Sequence, residues 1–438
     1  MLRRKVIERL VEWKNGTNKV ALLIKGARQV GKTTSVREFG KNNYESFIEI
    51  NFEQTPLARR AFDENLDART VILNLSAMGY GPFIEGKTLV FFDEIQSCPN
   101  ARTAIKFLVE DGRFDYIESG SLLGINYKDV SSFPVGFEEQ LEMFPLDFEE
   151  FLWARGISQD VIDTARDSYN GTYPVPDFIH EQLMRLYREY IIAGGMPAAV
   201  NAFLTDDDFS QTLRVQNIIL GNYRDDIAKY ADKEKDKAKA VFDAIPEQLS
   251  QKNKRFILAS LEKGADNRKY SQATMWLADA GIAYHCFNIT ALELPLSFSE
   301  KRNLYKLYML DTGLLCAMAM DGIQNAVLSG DIRINEGAVA ENAVAAELVR
   351  RGIPLYYYDK KSRIELDFVF NDGGRLSVIE VKSGSTYRRH AALDMAFRDN
   401  PGRINRRIVL CRGNVEVNGD GVVYLPIYMG MFFDFGVM

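Results

Sequence analysis

The sequence predicts an α/β protein, with a parallel sheet in its first 150 residues and helical and mixed segments behind it. Three observations carry this. Short apolar runs alternate with stretches of helical period, the pattern of strand–helix–strand units. A glycine-rich stretch stands between the first strand and the first long helical segment. A continuous apolar run further along ends in two adjacent acids, as a central strand buried on both faces should.

Met1 to Trp13 is basic but periodic, with Val6, Ile7, Leu10 and Val11 on one face, which describes an amphipathic helix rather than a signal peptide. Strands are expected at Val20–Ile24, Phe47–Phe52, Thr88–Phe92 and Phe114–Ile117. From about Asp147 to Tyr230 the period is helical, punctuated by the turn Gly194-Gly195-Met196-Pro197. The charged run from Lys229 to Lys239 reads as a solvated helix face or hinge. Short helices follow, then a strand at Ile282–Phe287. After Gly330 come one helix, Glu336–Arg350, and strands at Leu355–Tyr358, Glu365–Phe370, Leu376–Val381, Arg407–Leu410 and Val422–Leu425.

The segment Gly26-Ala27-Arg28-Gln29-Val30-Gly31-Lys32-Thr33-Thr34 fits G-x-x-x-x-G-K-[ST] in its required place, after a strand and before a helix. Glycines let successive backbone N–H groups turn inward toward phosphate oxygens, and the helix adds the positive end of its dipole. Lys32 then reaches the β- and γ-phosphates and the Thr33 hydroxyl ligates Mg²⁺. At the end of Thr88–Phe92, Asp93 is expected to hold Mg²⁺ and Glu94 to polarise the attacking water as general base. Ser119 or Ser121, at the end of another strand, is expected to touch the γ-phosphate or that water. Together these residues predict a site for a nucleoside triphosphate with Mg²⁺.

Composition narrows the classes. The 438 residues are 46% hydrophobic and 26% charged, which is globular and excludes disordered and low-complexity chains. A net charge of −6 argues against binding nucleic acid with the whole surface and leaves room for a local basic patch. Cys98, Cys286, Cys316 and Cys411 are widely spaced and read as buried thiols in a reducing, cytoplasmic compartment rather than a zinc site or disulfide framework. No stretch has the apolar length of a membrane span.

The segments Gly26–Thr34, Phe91-Phe92-Asp93-Glu94-Ile95-Gln96 and Ser119-Gly120-Ser121 resemble the AAA-type P-loop ATPase domain of a large bacterial and archaeal family, fused there to a C-terminal domain of unknown function. Further matches are Phe144-Pro145-Leu146-Asp147-Phe148-Glu149-Glu150-Phe151, Tyr190 with Gly194-Gly195-Met196-Pro197, and Leu307 to Leu315. The resemblance implies a P-loop NTPase sheet with a strand between the two Walker strands, a helical lid and a winged-helix-like middle. Many relatives carry an Arg beside the Gly before Pro-Leu-x-Phe, where this chain has Gly136-Phe137. The charge-stabilising arginine then comes from elsewhere, with Arg102, Arg155, Arg224 or a neighbouring subunit as candidates.

In the stretch Gln251 to Cys286, Lys252, Lys254 and Arg255 precede one short helix, and Arg268, Lys269 and Tyr270 open a second. Cations near a helix start, with Ser271, Gln272 and Thr274 for base edges, suit duplex DNA. A helical subdomain with a solvated basic face is the competing reading.

In the C-terminal region, alternation places Glu380 and Lys382 on one strand face, and Asp367 with Glu365 on another. A hairpin through Asn371-Asp372-Gly373-Gly374 brings Asp367 beside them. Glu341 lies on an otherwise apolar helix stripe, which implies that it points into a site. These four residues resemble the PD-(D/E)xK restriction-endonuclease-like superfamily. In that resemblance Glu341, Asp367 and Glu380 hold a metal, and Asp367, Glu380 and Lys382 are catalytic. The expected domains are residues 1–150 (ATPase), 151–235 (helical lid or linker), 236–325 (winged-helix-like) and 326–438 (nuclease-like). Two functional readings stand: an ATPase that acts on DNA, and an ATP-gated switch that binds a protein partner through an inactive nuclease-like fold. Neither oligomer nor membrane association has a signal of its own here.

Overall fold

The first strand, β1 (Ala21–Gly26), starts one residue later than expected and runs two residues past Ile24, where it delivers the glycine-rich loop. In this computed structural model, β1, β2 (Ser46–Asn51), β3 (Thr88–Asp93), β4 (Asp115–Ser121) and β5 (Glu138–Glu142) form a parallel sheet ordered β2-β3-β4-β1-β5. The strand β4 therefore lies between the two strands that end in the loop and the acids. The structure describes residues 2–17, 19–121, 134–205, 209–320, 322, 324, 327, 336–360 and 363–434. These fall into two units, Arg3–Phe144 with Asp279–Gly281, and Pro145–Ala278 with Ile282–Met438.

Alternation decides which side chains meet in the first unit. Leu23, Ile48, Ile50, Val90, Phe92 and Tyr116 share a core with α3 (Ala68–Ala77) and α4 (Pro99–Asp111), the third and fourth helices after α1 (Val6–Asn15) and α2 (Lys32–Asn43). Phe52, Phe62 and Phe92 close it, with ring centroids 5.7–5.8 Å apart. On the other face Phe47 stacks on Phe91 and lies against Gly40 of α2. Burying each such ring contributes about 1.5–3 kcal/mol. Trp13 of α1 is buried and donates its indole N–H to the Val20 carbonyl at 2.9 Å.

The strand β5 has no apolar alternation: it reads Glu-Glu-Gln-Leu-Glu. It is a sheet edge, where charged side chains are favoured because they discourage further pairing, and the ladder to β1 imposes its conformation. It also completes a buried acid pair. Glu118 of β4 is fully buried beside Glu138, which accepts a hydrogen bond from Arg102 at 3.0 Å. Burial, then the charge of Glu138, pushes the Glu118 carboxyl well above its ordinary range.

The second unit begins with a helix, Phe148–Ala154, fixed by a capping box in which Asp147 and Glu150 satisfy each other's backbone N–H groups. Helices Asp177–Ala193, Ser210–Tyr230 and Lys235–Ser250 follow, then Asn267–Asp279 and the antiparallel hairpin of β6 (Ala283–Ile289) and β7 (Glu300–Met309). A four-stranded sheet, β7-β6-β8-β9, adds β8 (Tyr356–Asp359) and β9 (Glu365–Leu366). A five-stranded mixed sheet, β10-β11-β12-β14-β13, comprises β10 (Phe368–Asp372), β11 (Arg375–Val381), β12 (Ile404–Cys411), β13 (Glu416–Val417) and β14 (Val422–Pro426). The helix Glu336–Arg350 has the bounds expected of it. The single strand expected over Glu365–Phe370 is two: the chain leaves one sheet after Leu366 and enters the other at Phe368.

The motif residues Leu146, Tyr190, Gly194-Gly195 and Asp311 meet in one clasp. The Tyr190 hydroxyl donates to the Leu146 carbonyl at 3.0 Å, and the Leu146 N–H donates to the Gly195 carbonyl at 2.7 Å. Asp311 accepts from the Gly195 N–H at 2.6 Å and caps the following helix through the Leu314 N–H at 2.9 Å. A Cβ at Gly194 would overlap the Asp311 carboxylate, and one at Gly195 the Leu146 backbone. Only glycine passes here.

The four cysteines are free and buried. Among the described residues no helix is long and apolar enough to cross a membrane. His180 contacts the Tyr428 hydroxyl and the Arg412 carbonyl, His390 is buried between Asp394 and Tyr424, and His285 stacks on Phe287.

Candidate functional sites

The loop from Gly26 to Gly31 turns over the end of β1. Gly26 passes so close to the Met143 carbonyl that a Cβ would overlap it, and Gly31 begins α2 with φ 100°, a left-handed backbone that glycine adopts without cost. Gln29 holds φ 66° without that freedom, local strain of the kind found at binding loops. Ala27, Arg28 and Val30 complete the loop, and Val30 accepts a hydrogen bond from Arg4 at 2.9 Å. Lys32 donates to the Gly26 and Ala27 carbonyls, both at 2.9 Å, so its ammonium lies across the loop mouth. Burial lowers its pKa to about 8, against the opposing pull of Glu94 and Asp93. Thr34 follows in the first turn of α2.

Asp93 ends β3, nearly inaccessible, and gathers donors from three strands or their loops. Thr33 Oγ1 lies 3.1 and 3.2 Å from its two oxygens, Asn51 Nδ2 donates at 2.9 Å, and the Ser119 hydroxyl donates to Oδ1. A hydroxyl beside a carboxylate suits the oxygen-rich shell of Mg²⁺. Ser119 thus fixes the Asp93 carboxylate, while Ser121 is buried at the end of β4. Asn51 was invisible to motif reading; its only sequence signal is a polar residue where β2 ends.

Glu94 leaves the strand with φ 54°, a left-handed backbone at a residue other than glycine. It accepts from Gln96 Nε2 at 2.6 Å, and burial raises its pKa, with Asp93 adding to the rise and Gln96 opposing it. A half-buried carboxylate with a fixed orientation and raised basicity is equipped to take a proton from water. Of the arginine candidates, Arg102 is buried against Glu138, Arg155 pairs with Glu189 at 3.1 Å, and Arg224 with Asp243 at 2.9 Å.

In the second unit the hairpin of β10 and β11 brings Asp367 opposite Glu380, one step beyond the Phe368–Ile379 pair. Lys382 pairs with Glu380 at 2.7 Å, as alternation requires. Asp367, at the step between the two sheets, accepts the Val381 N–H at 2.8 Å. Glu341 is fully buried and points into the same cluster, but its oxygens are taken by Lys254, Lys306 and Tyr308. Lys306 also pairs with Glu365 at 3.0 Å. The two opposing lysines hold the Glu341 carboxyl down at about 2 although burial works the other way. Among the described residues no group of three or more His, Cys, Asp or Glu is placed to hold a metal ion. In the arrangement described, lysines occupy the expected ligand set of Glu341, Asp367 and Glu380: Lys254 and Lys306 lie on Glu341, and Lys382 on Glu380.

Two expectations for the middle segment also change. Thr274 is buried and donates to the Ser271 carbonyl at 3.0 Å, so it offers nothing to a base edge. Lys254 turns inward to Glu341 instead of joining Lys252 and Arg255 on the surface. Arg268, Lys269 and Gln272 are exposed on the helix Asn267–Asp279, with Lys269 paired to Glu262.

Residues 18–152 match the family described as AAA domain, and the first unit is an AAA-type domain with a P-loop. Residues 184–325 and 336–429 match two families described as domains of unknown function, DUF8612 and DUF4143. An uncharacterized protein of Methanocaldococcus jannaschii, MJ1544, is 25% identical over 407 residues, covering 90% of this chain and 82% of that protein. Among solved structures, the Walker-type ATPase paby2304 of Pyrococcus abyssi is 15% identical, covering 73% of this chain and 96% of its own, with a TM-score of 0.42. The Aeropyrum pernix ORC1 protein, solved in complex with DNA, is 13% identical with 76% and 93% covered and a TM-score of 0.28. The Thermotoga maritima RuvB Holliday junction branch migration motor is 13% identical with 64% and 89% covered and a TM-score of 0.30.

Proposed function

We propose that this chain is a magnesium-dependent ATPase of the AAA type that couples its nucleotide cycle to duplex DNA through the segments after residue 235. The observation that supports it best is the constellation at the ends of β1 and β3, where Lys32, Thr33, Asp93 and Glu94 converge. The loop amides and the start of α2 receive the phosphates, and Lys32 exchanges the Gly26 and Ala27 carbonyls for β- and γ-phosphate oxygens. Mg²⁺, held by Thr33 Oγ1 and by Asp93, would draw charge from those oxygens. Asn51 and Ser119 keep the Asp93 carboxylate in place. Glu94, aimed by Gln96, takes the proton of the attacking water, and ADP and phosphate leave.

The DNA part rests on charge. Residues 251–309 hold nine basic and five acidic residues in a chain of net charge −6; Lys254 and Lys306 turn inward to Glu341, while Arg268, Lys269, Lys301 and Arg302 are exposed. In this reading residues 151–235 serve as a lid, 236–325 as a winged-helix-like DNA module and 326–438 as a nuclease-like fold. Glu94→Gln is expected to bind ATP within about threefold of the native affinity and to hydrolyse it ~10²–10⁴-fold more slowly. Undiminished turnover would remove Glu94 as the base. Duplex DNA should stimulate the native rate, with affinity falling steeply as salt rises. A second reading, an ATP-gated switch for a protein partner, is favoured by the lysine-filled acidic cluster; it gains if DNA neither binds nor stimulates.

A further inference from the structure

We propose that Lys254 is a built-in cation plug, which with Lys306 fills the place a divalent metal would take among Glu341, Asp367 and Glu380, and that residue 254 must withdraw before the cluster can accept a metal ion. This rests on reading those residues as a nuclease-like cluster and adds a means of keeping it closed.

Charge balance supports the plug. Four carboxylates, Glu341, Glu365, Asp367 and Glu380, meet three ammonium groups, Lys254, Lys306 and Lys382. Buried charges persist only when paired. Even with all four carboxylates ionised the set carries one surplus negative charge, and burial works toward protonating Glu365, Asp367 and Glu380, so an added divalent ion would leave an excess of positive charge. One ammonium has to go.

The two lysines that meet Glu341 are not equivalent. Lys306 is fully buried within β7, paired to Glu341 and Glu365 at 3.0 Å each, and lies 5.0 Å from the Tyr357 ring centroid. It cannot leave without opening the sheet. Lys254 comes from the loop after helix Lys235–Ser250, and its side chain is 19% exposed. Its backbone sits at φ 49°, a left-handed conformation that disfavours a residue with a Cβ. Of the two lysines, Lys254 is thus the one on a strained loop with a path to solvent. Meanwhile Glu380 Oε2 is buried without a hydrogen-bond partner. It is a ligand oxygen already desolvated and facing the cluster.

The test uses the full chain carrying Asp93→Asn, without nucleotide, so that the P-loop site does not answer and the outcome is independent of the ATPase reading. Thermal unfolding is followed with and without 1 mM Mn²⁺ (roughly ten times the Kd of a typical open carboxylate site). With Lys254 intact, Mn²⁺ should move the midpoint by less than about 1 °C. With Lys254→Met added, it should raise the midpoint by about 3 °C or more, and Glu380→Gln should cancel that rise. Equal Mn²⁺ shifts with and without Lys254, or no shift in Lys254→Met, would overturn the proposal. Metal-free Glu341→Gln gives a sign test. It strands two ammonium groups and should lower the midpoint by about 5 °C or more. An open acidic site would instead gain stability from relieved repulsion, and a raised midpoint would overturn the plug.

Discussion

Lys32 makes ATP affinity pH-dependent in a range where few other side chains titrate. Its ammonium has a pKa of about 8, lowered by burial over the loop. A triphosphate placed against it favours the charged form, so binding raises that pKa and draws in a proton. About nine-tenths of the free protein carries the ammonium at pH 7 and about one-tenth at pH 9. If only that form binds, Kd rises about tenfold between pH 7 and pH 9, about 1.4 kcal/mol of binding free energy. At pH 8 each binding event should take up about half a proton. Calorimetry of a non-hydrolysable ATP analogue, repeated in buffers of different ionisation enthalpy, reads both quantities. A flat Kd from pH 7 to 9 together with a buffer-independent heat would refute the reasoning. In Lys32→Ala, binding and its pH dependence should disappear together.

The acid pair of Glu118 and Glu138 gives a prediction about stability. Because burial and Glu138 raise the Glu118 pKa, the folded chain binds more protons than the unfolded one, and stability falls as pH climbs from about 4.5 toward the raised value. Glu118→Gln, which keeps the shape of the protonated acid, should stay within about 1 kcal/mol of native stability at pH 6 and flatten the decline to pH 9; urea titrations with parallel slopes in both proteins would contradict this. Gly195→Ala should cost about 3 kcal/mol, because the added methyl meets the Leu146 backbone rather than a side chain that can move. The control is Gly221→Ala in helix Ser210–Tyr230, where nothing lies within 4 Å of the new methyl. It should add about 0.5–1 kcal/mol.

Legibility in the sequence followed local chemistry. The glycine loop, the acids after Phe92 and the strand β4 were readable because each depends on a contiguous pattern whose physics is self-contained. Helix Glu336–Arg350 was readable to its ends, and burial of Glu341 followed from its place on an apolar stripe. Three features escaped. The strand β5 owes its conformation to β1, since its own residues carry no strand signal. The break at Asp367 comes from two sheets competing for one apolar run, which alternation alone cannot divide. Lys254 and Lys306 reach Glu341 from 87 and 35 residues away, and no spacing rule pairs groups so distant. Thr274, which looked available, is turned inward by the helix period that exposes Gln272.

Asp311 grips Gly195 across 116 residues. Topologically that contact closes one long loop, and the β6–β8 pairing and the Lys306–Glu341 ion pair tie the same stretch a second and third time. Closing a long chain loop costs little more when the loop is lengthened, about 0.6 kcal/mol for each doubling. Lengthening an exposed turn within that loop should therefore cost little, while its closing contact has no space for even one methyl group.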